Sequence, residues 1–244
     1  MIIFMEYRYE FLFPNELKQC IEQMPVAFVP TGLLEWHANH LPLGQDALKA
    51  HGICVNAAEK LGGGVVLPPN YFGAPGYSTY LGTLTFSEKT LTPLFLEYFE
   101  QLKKIGFKLI VLLTGHYGYV QVDFIKGVAR QFRKLHPDVG IIAIPEYEGI
   151  LIDGEQPNDH AGKWETSMFW HLCPQHTRMD EYDTIIDDMK TYTNAPLDYY
   201  NENAHWDFGY DVREASSPAL GKRVIDAITD KLVQDINTFM CNIS

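Results

Sequence analysis

The sequence predicts an α/β fold, a three-layer α/β/α sandwich around a mostly parallel sheet. Three observations carry that reading: short, near-continuously apolar runs that read as buried strands, amphipathic stretches of helical length between them, and Gly-rich stops at the junctions. Strands that alternate with helices pair in parallel, because each helix supplies the crossover. With 244 residues, 46% hydrophobic and 20% charged, the chain can fill one large core, and residues 1–244 are expected to form a single domain.

Residues 24–34, MPVAFVPTGLL, form the first expected strand. A helix follows from about Asp46 to Leu61 and stops at Gly62-Gly63-Gly64. Val65 to Leu67 is a short strand closed by Pro68-Pro69, and the Gly-, Pro- and Tyr-rich segment 70–86 is expected to be an ordered surface loop. Ser87 is placed to N-cap a helix running to Gly106, and 107–113, FKLIVLL, is the clearest buried strand. A helix over about 119–135, a strand from Val139 to Ile144, a helix from Lys163 or Trp164 to Leu172, and a last helix over 219–240 complete the pattern. The polar and aromatic stretch 174–217 resists assignment.

The net charge of −12 argues against nucleic-acid or anionic-membrane partners, which require clustered Lys and Arg. Cys20, Cys54, Cys173 and Cys241 are scattered without a CxxC pair, the pattern of reduced cytoplasmic thiols rather than of a disulfide framework. The opening Met-Ile-Ile-Phe-Met is too short for a signal sequence, and no apolar run approaches the ~18 residues of a membrane span.

In open α/β sheets ligands gather at the carboxyl ends of the strands. The first strand leads into Glu35-Trp36-His37-Ala38-Asn39-His40, with Asp46 at the start of the next helix. His116 sits in a glycine-flanked turn after FKLIVLL, and a third cluster, His160 to Ser167, contains Glu165. If the two strands are neighbours, Glu35, His37, Asp46 and His116 converge. Mixed carboxylate and imidazole donors without thiolates suit Zn²⁺, Mn²⁺ or Fe²⁺, and an Asp can bridge two ions. Taken singly, each residue has a plainer reading. A lone ExH pair is uninformative, and a His after a Gly turn can simply satisfy loop backbone groups.

At these residues the chain resembles the creatininase family. Gly32-Leu-Leu-Glu35-Trp-His37-Ala-Asn-His40-Leu-Pro-Leu-Gly-Gln-Asp46 is similar to the family's first signature, and Thr114-Gly115-His116-Tyr117-Gly118-Tyr119 to its second. His160-Ala-Gly-Lys-Trp-Glu165-Thr-Ser167 is similar to the third, and Leu81-Gly82-Thr83-Leu84 to its Pro-Gly-Thr turn. The resemblance implies one or two divalent ions (Zn, Mn or Fe). It also implies metal-activated water that hydrolyses a non-peptide or terminal amide C–N bond, cyclic amides included, in a small-molecule substrate. By position, Glu35 and His116 resemble ligands of one ion, His37 of the other, and Asp46 the bridge. Glu165 stands near the second ion as ligand and catalytic carboxylate, and His160 resembles the active-site histidine. A homo-oligomer, a hexamer in much of the family, is implied as well.

The departures are specific. Gly118 stands where creatininase itself has a ligand Glu, so that one site must lean on Glu165 or water, which weakens the case for creatinine. Trp36 replaces Gln, Ala38 Gly, Gln45 Thr, and Thr114 and Tyr119 two Asn; Tyr80 lies near the position of a missing histidine. Trp36 is expected to pack behind the site. Tyr71, Phe72, Tyr77, Tyr80, Tyr117, Trp164 and Trp206 are candidates to frame the substrate or to serve as core and subunit contacts, with Trp164, Tyr117 and Tyr80 the chosen pocket residues. The alternatives are a ring-opening hydrolase of the same family and a non-catalytic metal-binding oligomer.

Overall fold

Four parallel strands form the sheet in the order β2-β1-β3-β4 in the computed structural model, which describes residues 6–78, 80–182 and 209–243. The strands are β1 (Val26–Thr31), β2 (Val65–Val66), β3 (Leu109–Thr114) and β4 (Gly140–Pro145). β1 and β3 run side by side in register from Val26↔Leu109 to Thr31↔Thr114, and β3 pairs with β4 from Leu109↔Gly140 to Thr114↔Pro145. The neighbouring strand ends required for a shared site are therefore present.

Side-chain alternation divides the core into two halves. Val26, Phe28, Val66, Leu109, Val111 and Leu113 face helices α2 (Gln45–Leu61), α5 (Lys163–Leu172) and α7 (Pro218–Ile243). Ala27, Val29, Val65, Ile110 and Leu112 face α3 (Glu88–Ile105) and α4 (Tyr119–Leu135), with α1 (Pro14–Gln23) at the edge. Burial on both faces explains why these strands read as apolar runs rather than alternating ones. A short α6 (Val212–Ala215) precedes α7.

The expected elements are present with shifted ends. The first strand stops at Thr31 rather than Leu34, because Gly32 N–H turns to the carbonyl of Asn70 and Leu34 makes an isolated antiparallel bridge to Leu84. Ser87 occupies the N-cap position of α3, but its hydroxyl pairs with the Thr90 hydroxyl (3.3 Å) instead of a backbone N–H. Gly62 ends α2 in the left-handed region at φ 70°, as a C-terminal glycine stop requires. Helix α1 was not anticipated. Pro14 at its first turn and Glu16, which accepts the Phe13 N–H (2.9 Å), are its start signal. Trp206 and the first five residues lie outside the described residues. Among the described residues no helix is long and apolar enough to cross a membrane.

Candidate metal centre

The ends of β1 and β3, the start of α2 and the start of α5 deliver six side chains to one place. Asp46 is the second residue of α2, so it meets the positive end of that helix. Its Oδ1 lies 3.0 Å from His37 Nε2, and its Oδ2 lies 3.4 Å from His116 Nδ1. His37 Nε2 is also 3.4 Å from Glu165 Oε2, and His116 Nδ1 is 2.9 Å from Glu35 Oε2. Two ligand triads result, Glu35–Asp46–His116 and His37–Asp46–Glu165, each with donor atoms within 4.8 Å of one another and each fully buried. Asp46 belongs to both, one oxygen to each.

The donor atoms fit a cation. Glu35 Oε2, His37 Nε2 and both Asp46 oxygens are buried without a hydrogen-bond partner, an arrangement that is costly unless a positive ion occupies the space they enclose. His37 Nδ1–H donates to the Glu35 carbonyl (3.0 Å), which leaves Nε2 with its lone pair towards Asp46 and Glu165. That outer bond is the usual device for aiming a ligating imidazole.

The electrostatics agree. Burial alone would push the carboxylates up, but the facing imidazoles outweigh it and hold Glu35 and Asp46 below the usual carboxylate range. Burial likewise opposes charge on the imidazoles, yet Asp46 and Glu165 raise His37 well above its ordinary value. Glu35 and Asp46 raise His116 to about 10. Protons thus take the place a metal ion would hold.

His160 joins the edge of the cluster. Its Nε2–H donates to the Trp36 carbonyl (2.8 Å), and its Nδ1 lies 3.9 Å from Glu35 Oε2. It also falls within a third group with Glu35 and His37. Its ring stacks on His37 at 4.2 Å and meets Tyr77 at 4.3 Å. Burial and the neighbouring His37 charge lower it to about 4, so it is neutral at pH 7. The backbone bond expected of a helix-start histidine is therefore made, and the ring still faces the cluster.

Glu165 is tied down at both oxygens. Its Oε1 accepts from Lys49 Nζ (2.8 Å) and its Oε2 from Ala161 N–H (2.8 Å). Against the effect of burial, Lys49 and His37 hold it at about 2. A carboxylate kept ionised in this way is suited to ligation.

A pocket of about 360 Å³ opens on the cluster, lined by Asp46, Tyr77, His116, Tyr117, Asn158 and His160 among others. Two of the three chosen pocket residues are not among its lining. Trp164 is 6% exposed and packs in the core shared by the sheet, α2 and α7, because the helix turn that aims Glu165 at the site points its neighbour away. Tyr80 is 3% exposed and stacks on Trp36 at 4.1 Å, so both aromatics form a wall behind the ligands. Tyr117 does line the pocket, and its hydroxyl donates to Glu146 (2.6 Å). The space of the absent carboxylate at Gly118 lies over His116, since a Cβ there would stand 3.0 Å from His116 Nε2.

Close backbone approach sets the geometry. A Cβ on Gly76 would stand 1.9 Å from Glu35 Oε1, and one on Gly115 2.2 Å from the Asp46 carbonyl. Ala38, in the position of a family glycine, keeps φ at 57°, a left-handed conformation that costs a residue with a Cβ roughly 1–2 kcal/mol.

Several contributors escaped the sequence reading. Asp159 accepts the N–H of Trp164 (2.8 Å) and of Glu165 (3.1 Å), which anchors the start of α5. Its place shortly before the helix was the available signal. Lys49 and Glu146 are fully buried ionisable groups beside Glu165. Gln121 links the two loops over the site, donating to Thr114 Oγ1 (3.2 Å) and accepting from Ala74 N–H (2.8 Å). Thr114 Oγ1 in turn accepts the His116 N–H (3.2 Å), which a residue in the place of Asn must do to hold that turn.

A family model for the creatininases, described as creatinine amidohydrolase, matches residues 12–236. The chain belongs to the creatininase family. This is a family of hydrolases, and its members differ in what they cleave. The chain is 28% identical over 204 residues to the mycofactocin precursor peptide peptidase of Mycolicibacterium smegmatis, covering 78% of this chain and 74% of that protein. It is 24% identical over 196 residues to the creatinine amidohydrolase of Pseudomonas putida, covering 72% and 73%. A crystal structure of creatininase shares the fold with a TM-score of 0.78 at 19% identity, over 95% of this chain and 97% of that one. Solved creatininases of this fold include a Zn-Zn form and an Mn form, at TM-scores of 0.73 and 0.74.

Proposed function

We propose that the chain is a metal-dependent hydrolase that cleaves an amide C–N bond of a small, non-peptide substrate. The observation that carries this reading is Asp46, fully buried, with one oxygen facing each of two candidate ligand triads. A divalent ion held there would supply a water of pKa about 7 and a Lewis acid for a carbonyl oxygen. Glu35, Asp46 and His116 would hold one ion and His37, Asp46 and Glu165 a second. The Zn-Zn and Mn creatininases support zinc or manganese as the occupants.

The chain's own groups supply the rest. His160 is anchored through Nε2, so Nδ1 is the ring atom turned to the cluster. There it can accept a proton from the attacking water and pass it to the leaving nitrogen. Tyr77 and Tyr117 present aromatic and polar surface to whatever enters the pocket. A peptide bond is the second reading, favoured by the peptidase relative at 28% identity.

The test is a substrate panel with His116→Ala as control. Cyclic and acyclic amides, short peptides and cyclic ketones are offered to zinc- or manganese-loaded protein, with amine release as the readout. We expect amine release from a small amide, and loss of both bound metal and turnover in His116→Ala. Cleavage of peptides alone shifts the assignment to a peptidase, ring opening without amine removes the amidohydrolase reading, and full metal content in His116→Ala removes His116 from the ligands.

A further inference from the structure

Lys49 lies on α2 one turn after Asp46, on the same helix face as the core residues Ala50, Ile53 and Ala57, and it is completely buried. An ammonium group in such a place needs a full set of acceptors. It has three, from three other parts of the chain: Glu165 Oε1 at 2.8 Å, the Tyr117 hydroxyl at 2.9 Å and Glu146 Oε2 at 3.2 Å. Tyr117 closes the network by donating to Glu146 Oε2 at 2.6 Å. Glu146 stands directly after β4, so the group extends the site across the third strand end.

We propose that Lys49 is a positioning residue for the ion at His37, Asp46 and Glu165, occupying Oε1 of Glu165 so that only Oε2 is left to meet a cation. Oε2 accepts one bond, from Ala161 N–H, and a carboxylate oxygen has a second lone pair to offer. Glu165 is thereby held to single-oxygen ligation beside His37 Nε2. Glu146 and Tyr117 fix the ammonium in turn, so the alignment of Glu165 depends on residues that belong to neither triad. Among the described residues Lys49 makes its hydrogen bonds and ion pairs to Glu165, Tyr117 and Glu146 and none to Glu35 or His116, and it reaches the shared Asp46 only through charge. The inference rests on reading the cluster as a two-ion centre.

The test uses the full chain stripped of metal and titrated with Zn²⁺ or Mn²⁺ alone, with stoichiometry by elemental analysis and affinity by chelator competition. The variant is the pair Lys49→Met with Glu146→Gln, which removes both charges and strands neither. The Lys49→Met single change is run beside it. Loss of an outer-shell partner commonly costs 10–100-fold in metal affinity. We expect one ion to weaken by that factor while the other keeps its wild-type affinity. A purely structural role for Lys49 would lower both affinities together or shift only the unfolding midpoint, and either result overturns the proposal. So do two ions bound at wild-type affinity by the double variant. Wild-type protein that binds no ion at all would sink the metal reading itself and this inference with it.

Discussion

The imidazole of His37 is aimed through its other nitrogen: Nδ1–H is tied to the Glu35 carbonyl, so Nε2 is left facing Asp46 and Glu165. In the absence of metal that nitrogen takes a proton, as His116 does, because both rings face carboxylates in a buried site. Both pKa values are raised on folding. Their contribution to the metal-free fold is therefore present in full below the ordinary value of 6.5 and is lost as pH rises, for His116 through about 10. Metal binding runs the other way, since each ion must displace the proton of its imidazole. Calorimetric titration of Zn²⁺ at pH 7 in buffers of different ionisation heat should therefore reveal release of about two protons when both ions load. A buffer-independent heat would mean that these rings are already neutral and that the charge reading of the cluster is wrong.

At the scale of elements, the position of Glu165 depends on how α5 lies against α7. The two helices meet at Gly221, where a Cβ would stand 1.8 Å from the Ser167 carbonyl, and Ser217 N–H donates to Ser167 Oγ (3.0 Å). The contact leaves no room for a methyl group. Gly221→Ala should push α5 away and cost about 1–3 kcal/mol, as overpacking of a filled contact does. Urea denaturation measures it. An unchanged midpoint would show that the helix pair yields freely and does not fix Glu165.

Across the whole molecule, the site joins segments far apart in sequence: the β1–α2 connection, the turn after β3 and the beginning of α5. An ion that binds only this folded arrangement stabilises it by mass action, by about 2.7 kcal/mol at a hundredfold excess over its dissociation constant. Removal of metal with a chelator should lower the thermal midpoint, and returning Zn²⁺ or Mn²⁺ should restore it. Identical melting of the stripped and loaded protein would argue against ions that bridge these segments.

The sequence by itself determined the parallel α/β architecture, because strands covered on both faces must be apolar throughout and their stops are written in glycine and proline. It also offered the candidate site residues, since Glu35, His37, Asp46, His116, His160 and Glu165 stand in three ordered motifs at strand ends and a helix start. The fold brings all six together. Only the tertiary structure decided how those groups divide, with Asp46 between two triads, and which aromatics are wall and which are pocket. Trp164 and Tyr117 look alike as sequence, but a helix face turns one into the core and a strand-end loop turns the other to the cavity. Lys49 was concealed for the same reason. A single lysine in a helix reads as solvated until packing shows that its three partners come from segments the sequence sets far apart.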